Sequence, residues 1–277
     1  MPSLGIMQGR LSPRPRQLLQ AFPWKTWEEE FHQAGVLGLD SIEWLVTADG
    51  LANNPIRHHA GRARIRRLVS ETGVRVLSVC ADYLIAHPFF RGTPSDRAES
   101  LSMLMGLIGE AGAVGAATVL IPLLETAQLN DQHEREELIA CLQEPLSLAR
   151  SINVRLALET VLPSAGYLGL IEKLNHEYAR IYYDTGNAAA KEYDIAADVR
   201  CLGGYLCGVH LKDRARDGRS MPLGQGIANF STFFEALREV HYRGPIVLET
   251  PVEHDPLEDA RANVDFVRRH LGGPVNR

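Results

Sequence analysis

The stretch "RIYYDTGNAA", residues 180–189, runs three apolar residues, Ile181, Tyr182 and Tyr183, straight into Asp184 and a tight-turn sequence, Thr185, Gly186 and Asn187. A buried strand that ends on a carboxylate has two readings. The acid caps the following helix, or it points into a site. The same pattern recurs along the chain. Apolar runs fall at 4–10 (LGIMQGR), 40–45 (DSIEWL), 74–82 (VRVLSVCAD) and 117–125 (ATVLIPLLE), then at 154–160 (VRLALET), 180–185, 206–213 (LCGVHLKD) and 244–251 (GPIVLETP). All eight are rich in Val, Ile and Leu with weak alternation. That is the pattern of parallel strands covered on both faces.

Helical segments alternate with these runs. Residues 26–38 begin with Thr26 as N-cap and Glu29 three residues on, a capping box. Residues 95–115 begin at Ser95, and 131–151 contain Pro145, which should kink or divide that helix. Residues 229–244 and 256–273 complete the set. Eight strands alternating with helices in 277 residues predict one (β/α)8 TIM barrel domain spanning 1–277. A doubly wound sheet would show a Gly-rich phosphate turn after its first strand. That strand here ends "MQGRLSPR", with one glycine and no G-x-G-x-x-G.

The net charge of −5 and the isoelectric point near 6.1 argue against nucleic acid or an anionic membrane as the main partner. No apolar stretch is long enough to span a bilayer, and the N-terminus lacks the pattern of a signal peptide. The expected compartment is cytoplasmic. Cys80, Cys141, Cys201 and Cys207 form no C-x-x-C pair and read as reduced thiols.

In a barrel, chemistry sits at the C-terminal ends of the strands. Strand 2 carries Glu43, strand 3 leads to Asp82 and His87, and strand 4 ends at Glu125. Strands 5 to 8 then deliver Glu159, Asp184, His210 and Glu249, each behind an apolar run. Singly, Asp184 is a plausible helix cap, His210 a core histidine and each glutamate an ion-pair partner. Jointly, buried carboxylates left unpaired at four adjacent strand ends would cost several kcal/mol. A shared cation removes that cost. Three carboxylates and one imidazole suit Mn²⁺ first, with Mg²⁺, Co²⁺ and Zn²⁺ as alternatives. Glu159 and Glu249 can then approach a substrate from two sides. One removes a proton beside a carbonyl and the other returns it, through an enediolate. The loop 209–230 carries Lys212, Arg214, Arg216, Arg219 and "PLGQG", and reads either as a solvated loop or as one that closes on substrate oxygens. The first loop adds Arg10, Arg14 and Arg16 on the same face. His87 and Glu43 are further candidates for substrate contact. No G-x-S-x-G, P-loop or H-E-x-x-H is present.

"LALET", "YYDTGN", "GVHLKD", "PLGQG" and "IVLET" together resemble the xylose-isomerase-like barrel superfamily of sugar isomerases and epimerases. "TGVRVLSVCAD…AHPF", "DTGNAAA" and "VHLKD…PLGQGIANF" resemble its L-ribulose-5-phosphate 3-epimerase branch. The resemblance implies one divalent metal on Glu159, Asp184, His210 and Glu249, with Glu159 and Glu249 also the acid/base pair. It further implies an arginine after the metal histidine that holds substrate oxygens. Arg216 fits that place, with Arg214 as its rival. The substrate would be a small sugar or sugar phosphate, and the assembly a dimer or tetramer. Asn187 stands where some relatives carry a histidine, which argues against the multi-zinc endonuclease IV branch. The expected activity is ketose 3-epimerisation. An aldose–ketose or hydroxypyruvate-type isomerase, an inosose-type dehydratase and a non-catalytic sugar binder remain open.

Overall fold

The computed structural model describes residues 2–13 and 20–272. Barrel strands β1 (Leu4–Met7), β2 (Ser41–Leu45), β3 (Arg75–Cys80), β4 (Thr118–Leu123), β5 (Arg155–Thr160), β6 (Ala179–Asp184), β7 (Leu206–Leu211) and β8 (Ile246–Leu248) each pair in parallel with the next. The last returns to the first, with Leu4 opposite Ile246, so the sheet closes into a barrel. The eight expected strands are all present, and all six residues of β4 are buried, as a strand covered on both faces requires. Each fully buried Val, Leu or Ile stabilises the fold by about 1.5–3 kcal/mol. No helix among the described residues is long and apolar enough to cross a membrane.

Helix boundaries differ from expectation where local chemistry found another partner. The helix Glu29–Val36 has no side-chain cap, because it starts later than expected, with Glu28 rather than Thr26 at its N-cap, and the Thr26 hydroxyl pairs with Ser12 at 2.7 Å. The helix Pro94–Ala113 is capped by Thr93, not Ser95, through a box with Asp96. Residues 131–151 divide into Gln132–Cys141 and Gln143–Ser151, and Pro145 sits in the first turn of the second helix. There its missing N–H costs no helical hydrogen bond. Helices His59–Thr72, Ser164–Leu174 and Ile195–Leu202 lay outside the expected set. The first fully buries only Ile65 and Leu68, so its apolar stripe is faint. Among the cysteines, Cys80 and Cys207 are buried, Cys141 half-buried and Cys201 exposed, and all four are free thiols.

Candidate metal centre

Four strand ends converge at one mouth of the barrel. Glu159 stands on β5, Asp184 ends β6, His210 is on β7 and Glu249 follows β8. Asp184 pairs with His210 across β6 and β7, and His210 with Val247 across β7 and β8, which sets a common depth. All four side chains are buried, and one ligand atom from each lies within 4.8 Å of the others. Asp184 satisfies both readings of its stretch, one per oxygen. Oδ1 accepts the Asn187 backbone N–H at 2.7 Å and caps the helix Thr185–Ala190. Oδ2 is buried with no hydrogen-bond partner among the described residues, its ion-pair contact being Lys212 Nζ at 3.7 Å. A buried acceptor left so costs about 1–3 kcal/mol. A carboxylate oxygen free of hydrogen bonds beside two further carboxylates and an imidazole fits a divalent cation.

His210 is oriented from behind. Its Nε2 lies 2.6 Å from Glu43 Oε1, while Nδ1 faces Glu249 Oε2 at 3.1 Å and Glu159 Oε1 at 3.5 Å. Glu43 is fully buried, and its Oε2 also accepts the hydroxyls of Ser78 at 2.6 Å and Tyr182 at 2.7 Å. Glu43, a candidate for substrate contact, thus lies beneath the site with its carboxylate engaged by His210, Ser78 and Tyr182. It accepts from Nε2–H and leaves the Nδ1 lone pair for a cation, the arrangement in which a carboxylate orients a metal-binding histidine. Gly208 makes room for this, since a Cβ there would lie 2.1 Å from the Tyr182 ring. Burial opposes a charge on His210, but Glu43, Glu249 and Glu159 outweigh it and raise its proton affinity well above the usual histidine range. A cation binding at Nδ1 would displace that proton. Glu43→Ala is expected to weaken Mn²⁺ binding about 10–100-fold. It also strips a buried acceptor from three donors, so the melting temperature should fall. Mn²⁺ titration followed by thermal shift checks both. Binding at wild-type strength would remove Glu43 from this role.

The two glutamates have opposite surroundings. Glu249 Oε1 receives Lys212 Nζ at 2.5 Å and Gln20 Nε2 at 2.9 Å, with Arg10 Nη2 at 3.8 Å. Burial alone would raise its pKa, but the charges of Lys212, His210 and Arg10 bring it down to about 2. Among the described residues, Glu159 has only the Asn187 amide, at 3.4 Å, and His210. There burial wins, helped by Asp184 and Glu249, and its pKa rises to about 7. Lys212, expected to hold substrate, lines the cavity but directs its ammonium to Glu249, and lies 3.7 Å from Asp184 Oδ2.

A cavity of about 630 Å³ opens over these residues, lined also by Gln20, Asp82, Glu125, Asn187 and Arg214. Two expected contacts lie elsewhere. Arg216 is exposed and borders a separate cleft with Asn229 and Thr232. His87 is exposed and borders another with Arg91 and Met103. Arg214, the rival candidate, lines the cavity. Its Nε and Nη2 donate to Asn187 Oδ1 at 3.2 and 2.8 Å, and Nη1 donates to the Gly218 carbonyl at 2.7 Å. "PLGQG" folds around an acid of its own loop. The backbone N–H groups of Gly224, Gly226 and Ala228 wrap the Asp213 carboxylate at 3.0, 2.8 and 3.1 Å. Of the first-loop arginines, Arg10 is buried beside Glu249, and Arg14 and Arg16 lie outside the described residues. Gln20 carries no periodic or motif signal that would single it out as a site residue, whereas Asn187 lies within the "YYDTGN" motif.

The chain is similar to known proteins in sequence and in fold. The chain is 29% identical over 260 residues to L-ribulose-5-phosphate 3-epimerase UlaE of Escherichia coli (strain K12), covering 88% of this chain and 90% of that protein. The D-psicose 3-epimerase of Clostridium cellulolyticum H10, solved with D-tagatose, superposes with a TM-score of 0.79 at 16% identity, covering 97% of this chain and 99% of that one. An IOLI protein solved with a bound zinc atom superposes with a TM-score of 0.78 at 14% identity, over 98% of both chains. The family model described as "Xylose isomerase-like TIM barrel" matches residues 31–270, and the chain belongs to that family.

Proposed function

We propose that the chain is a divalent-metal-dependent sugar epimerase, a ketose 3-epimerase acting on a small sugar or sugar phosphate. The observation that carries this reading is the pair Glu159 and Glu249. Both line the cavity, both belong to the four-residue ligand set, and they come from strands three apart in the ring. A binding barrel has no need of two such carboxylates. A bound cation, Mn²⁺ in this reading, would supply Lewis-acid polarisation of the substrate carbonyl. One glutamate removes the proton from the adjacent carbon, and the other returns one to the opposite face. General acid–base work of this kind contributes about 10²–10⁴-fold. Lys212, Gln20 and Arg10 hold Glu249 in place, and Asn187 and Arg214 offer N–H groups to substrate oxygens. The epimerase named among the curated relatives supports the same chemistry.

The test is hydrogen exchange from heavy water. The protein is incubated with Mn²⁺ and a panel of ketoses, ketose phosphates and inososes, with an EDTA control, and the label is located by NMR. Metal-dependent label at C3 is the expected result. Label at C1 or C2 would replace the epimerase by an aldose–ketose isomerase, and loss of a hydroxyl by a dehydratase. Absence of exchange across the panel would overturn the reading.

A further inference from the structure

Asp82 lines the reaction cavity just beyond β3, outside the ligand set. Its carboxylate makes no side-chain hydrogen bond or ion pair among the described residues, although the side chain is half-buried. Glu125, just beyond β4, lines the same wall and is equally unpartnered. In the closed ring, β3 and β7 are four strands apart in either direction. Asp82 therefore faces Lys212 and Arg214, which follow β7, across the cavity. The carboxyl groups of Asp82 and Glu125 thus stand across the cavity from Lys212 and Arg214, with the Gln128 amide on their own side and the Arg10 charge reaching Asp82. Burial, then the charges of Glu249 and Glu125, push the Asp82 carboxyl up to about 7. In either protonation state it can hydrogen-bond a hydroxyl. A phosphate placed there would lie against Asp82 and Glu125.

Resting on the sugar-epimerase reading, we infer that Asp82 is a specificity-determining residue that hydrogen-bonds hydroxyl groups at one end of the sugar, so that this end is unphosphorylated. Any phosphate the substrate carries sits at the other end, on the side of Arg214. Like-charge placement is the means by which such a site rejects the wrong ligand, and a lost hydrogen bond at a buried polar group is the means by which it selects the right one.

The experiment uses the full chain loaded with Mn²⁺ and four probes: L-ribulose, D-fructose, D-fructose 1-phosphate and D-fructose 6-phosphate. Affinity is read by NMR titration, and turnover by solvent exchange. Wild type should bind at least one free ketose and discriminate at least tenfold between the two monophosphates. Asp82→Ala should weaken the free ketose about tenfold or more in Kd and KM, the loss expected of one hydrogen bond to a charged group. Its kcat should stay within about threefold, since the hydrogen bond forms away from the reacting carbon. Asp82→Asn, which keeps a hydrogen-bonding side chain, should recover most of that affinity while admitting the rejected monophosphate. Mn²⁺ affinity and melting temperature should not move in either variant. Equal binding of both monophosphates by wild type, binding of neither free ketose, or unchanged ketose affinity in Asp82→Ala would each overturn the assignment. Sugar binding that depends on Asp82 but comes without exchange would instead overturn the epimerase reading alone.

Discussion

Glu249→Gln is expected to lower metal-dependent solvent exchange about 10³-fold, within the range that one acid–base group contributes. The amide is nearly isosteric, so packing is kept, but it cannot take a proton from carbon. The substitution also removes the negative charge that Lys212 and Arg10 surround. Lys212 retains Asp184 Oδ2 at 3.7 Å, so its ammonium is not left alone in the interior. Some loss of Mn²⁺ affinity will accompany the change, because the same side chain is a candidate ligand. Assays at saturating Mn²⁺, set against a separate metal titration, divide the two effects. A variant that exchanges at the wild-type rate would show that Glu249 moves no proton.

His210→Ala should all but abolish specific Mn²⁺ binding. It deletes the one nitrogen of the ligand set and uncouples β7 from the carboxylates on either side. It also leaves Glu43 buried with only the hydroxyls of Ser78 and Tyr182. Breaking a buried charged pair by removing one partner typically costs about 3–5 kcal/mol. The melting temperature should therefore fall in the absence of metal and no longer rise when Mn²⁺ is added. Ligand-dependent stabilisation grows with the ratio of free metal to Kd, so the missing rise is itself the readout. A melting temperature that still climbs with Mn²⁺ as in wild type would remove His210 from the ligand set.

The barrel and the four converging strand ends were legible in the chain because both are local signals. Each strand is a short apolar run, and each of Glu159, Asp184, His210 and Glu249 is announced by the run before it. Strand order then follows from parallel neighbours joined by helices. The helix His59–Thr72 escaped because its buried stripe is two residues, and Thr26 is no cap because the helix begins with Glu28 at its N-cap.

The sequence by itself thus determined a (β/α)8 barrel and which four side chains meet at its mouth. Only the tertiary structure decided what each neighbour does. Glu43 orients His210 across 167 residues of sequence, and Gln20 reaches Glu249 across 229. Arg214 rather than Arg216 enters the cavity, because Asn187 and the Gly218 carbonyl hold its guanidinium there. The glycines of "PLGQG" hold the Asp213 carboxylate through their backbone N–H groups. The physical reason is common to all four. Residue spacing reports which face of a strand or helix a side chain occupies, whereas a hydrogen-bond partner is set by closure of the ring, which brings distant loops to one mouth.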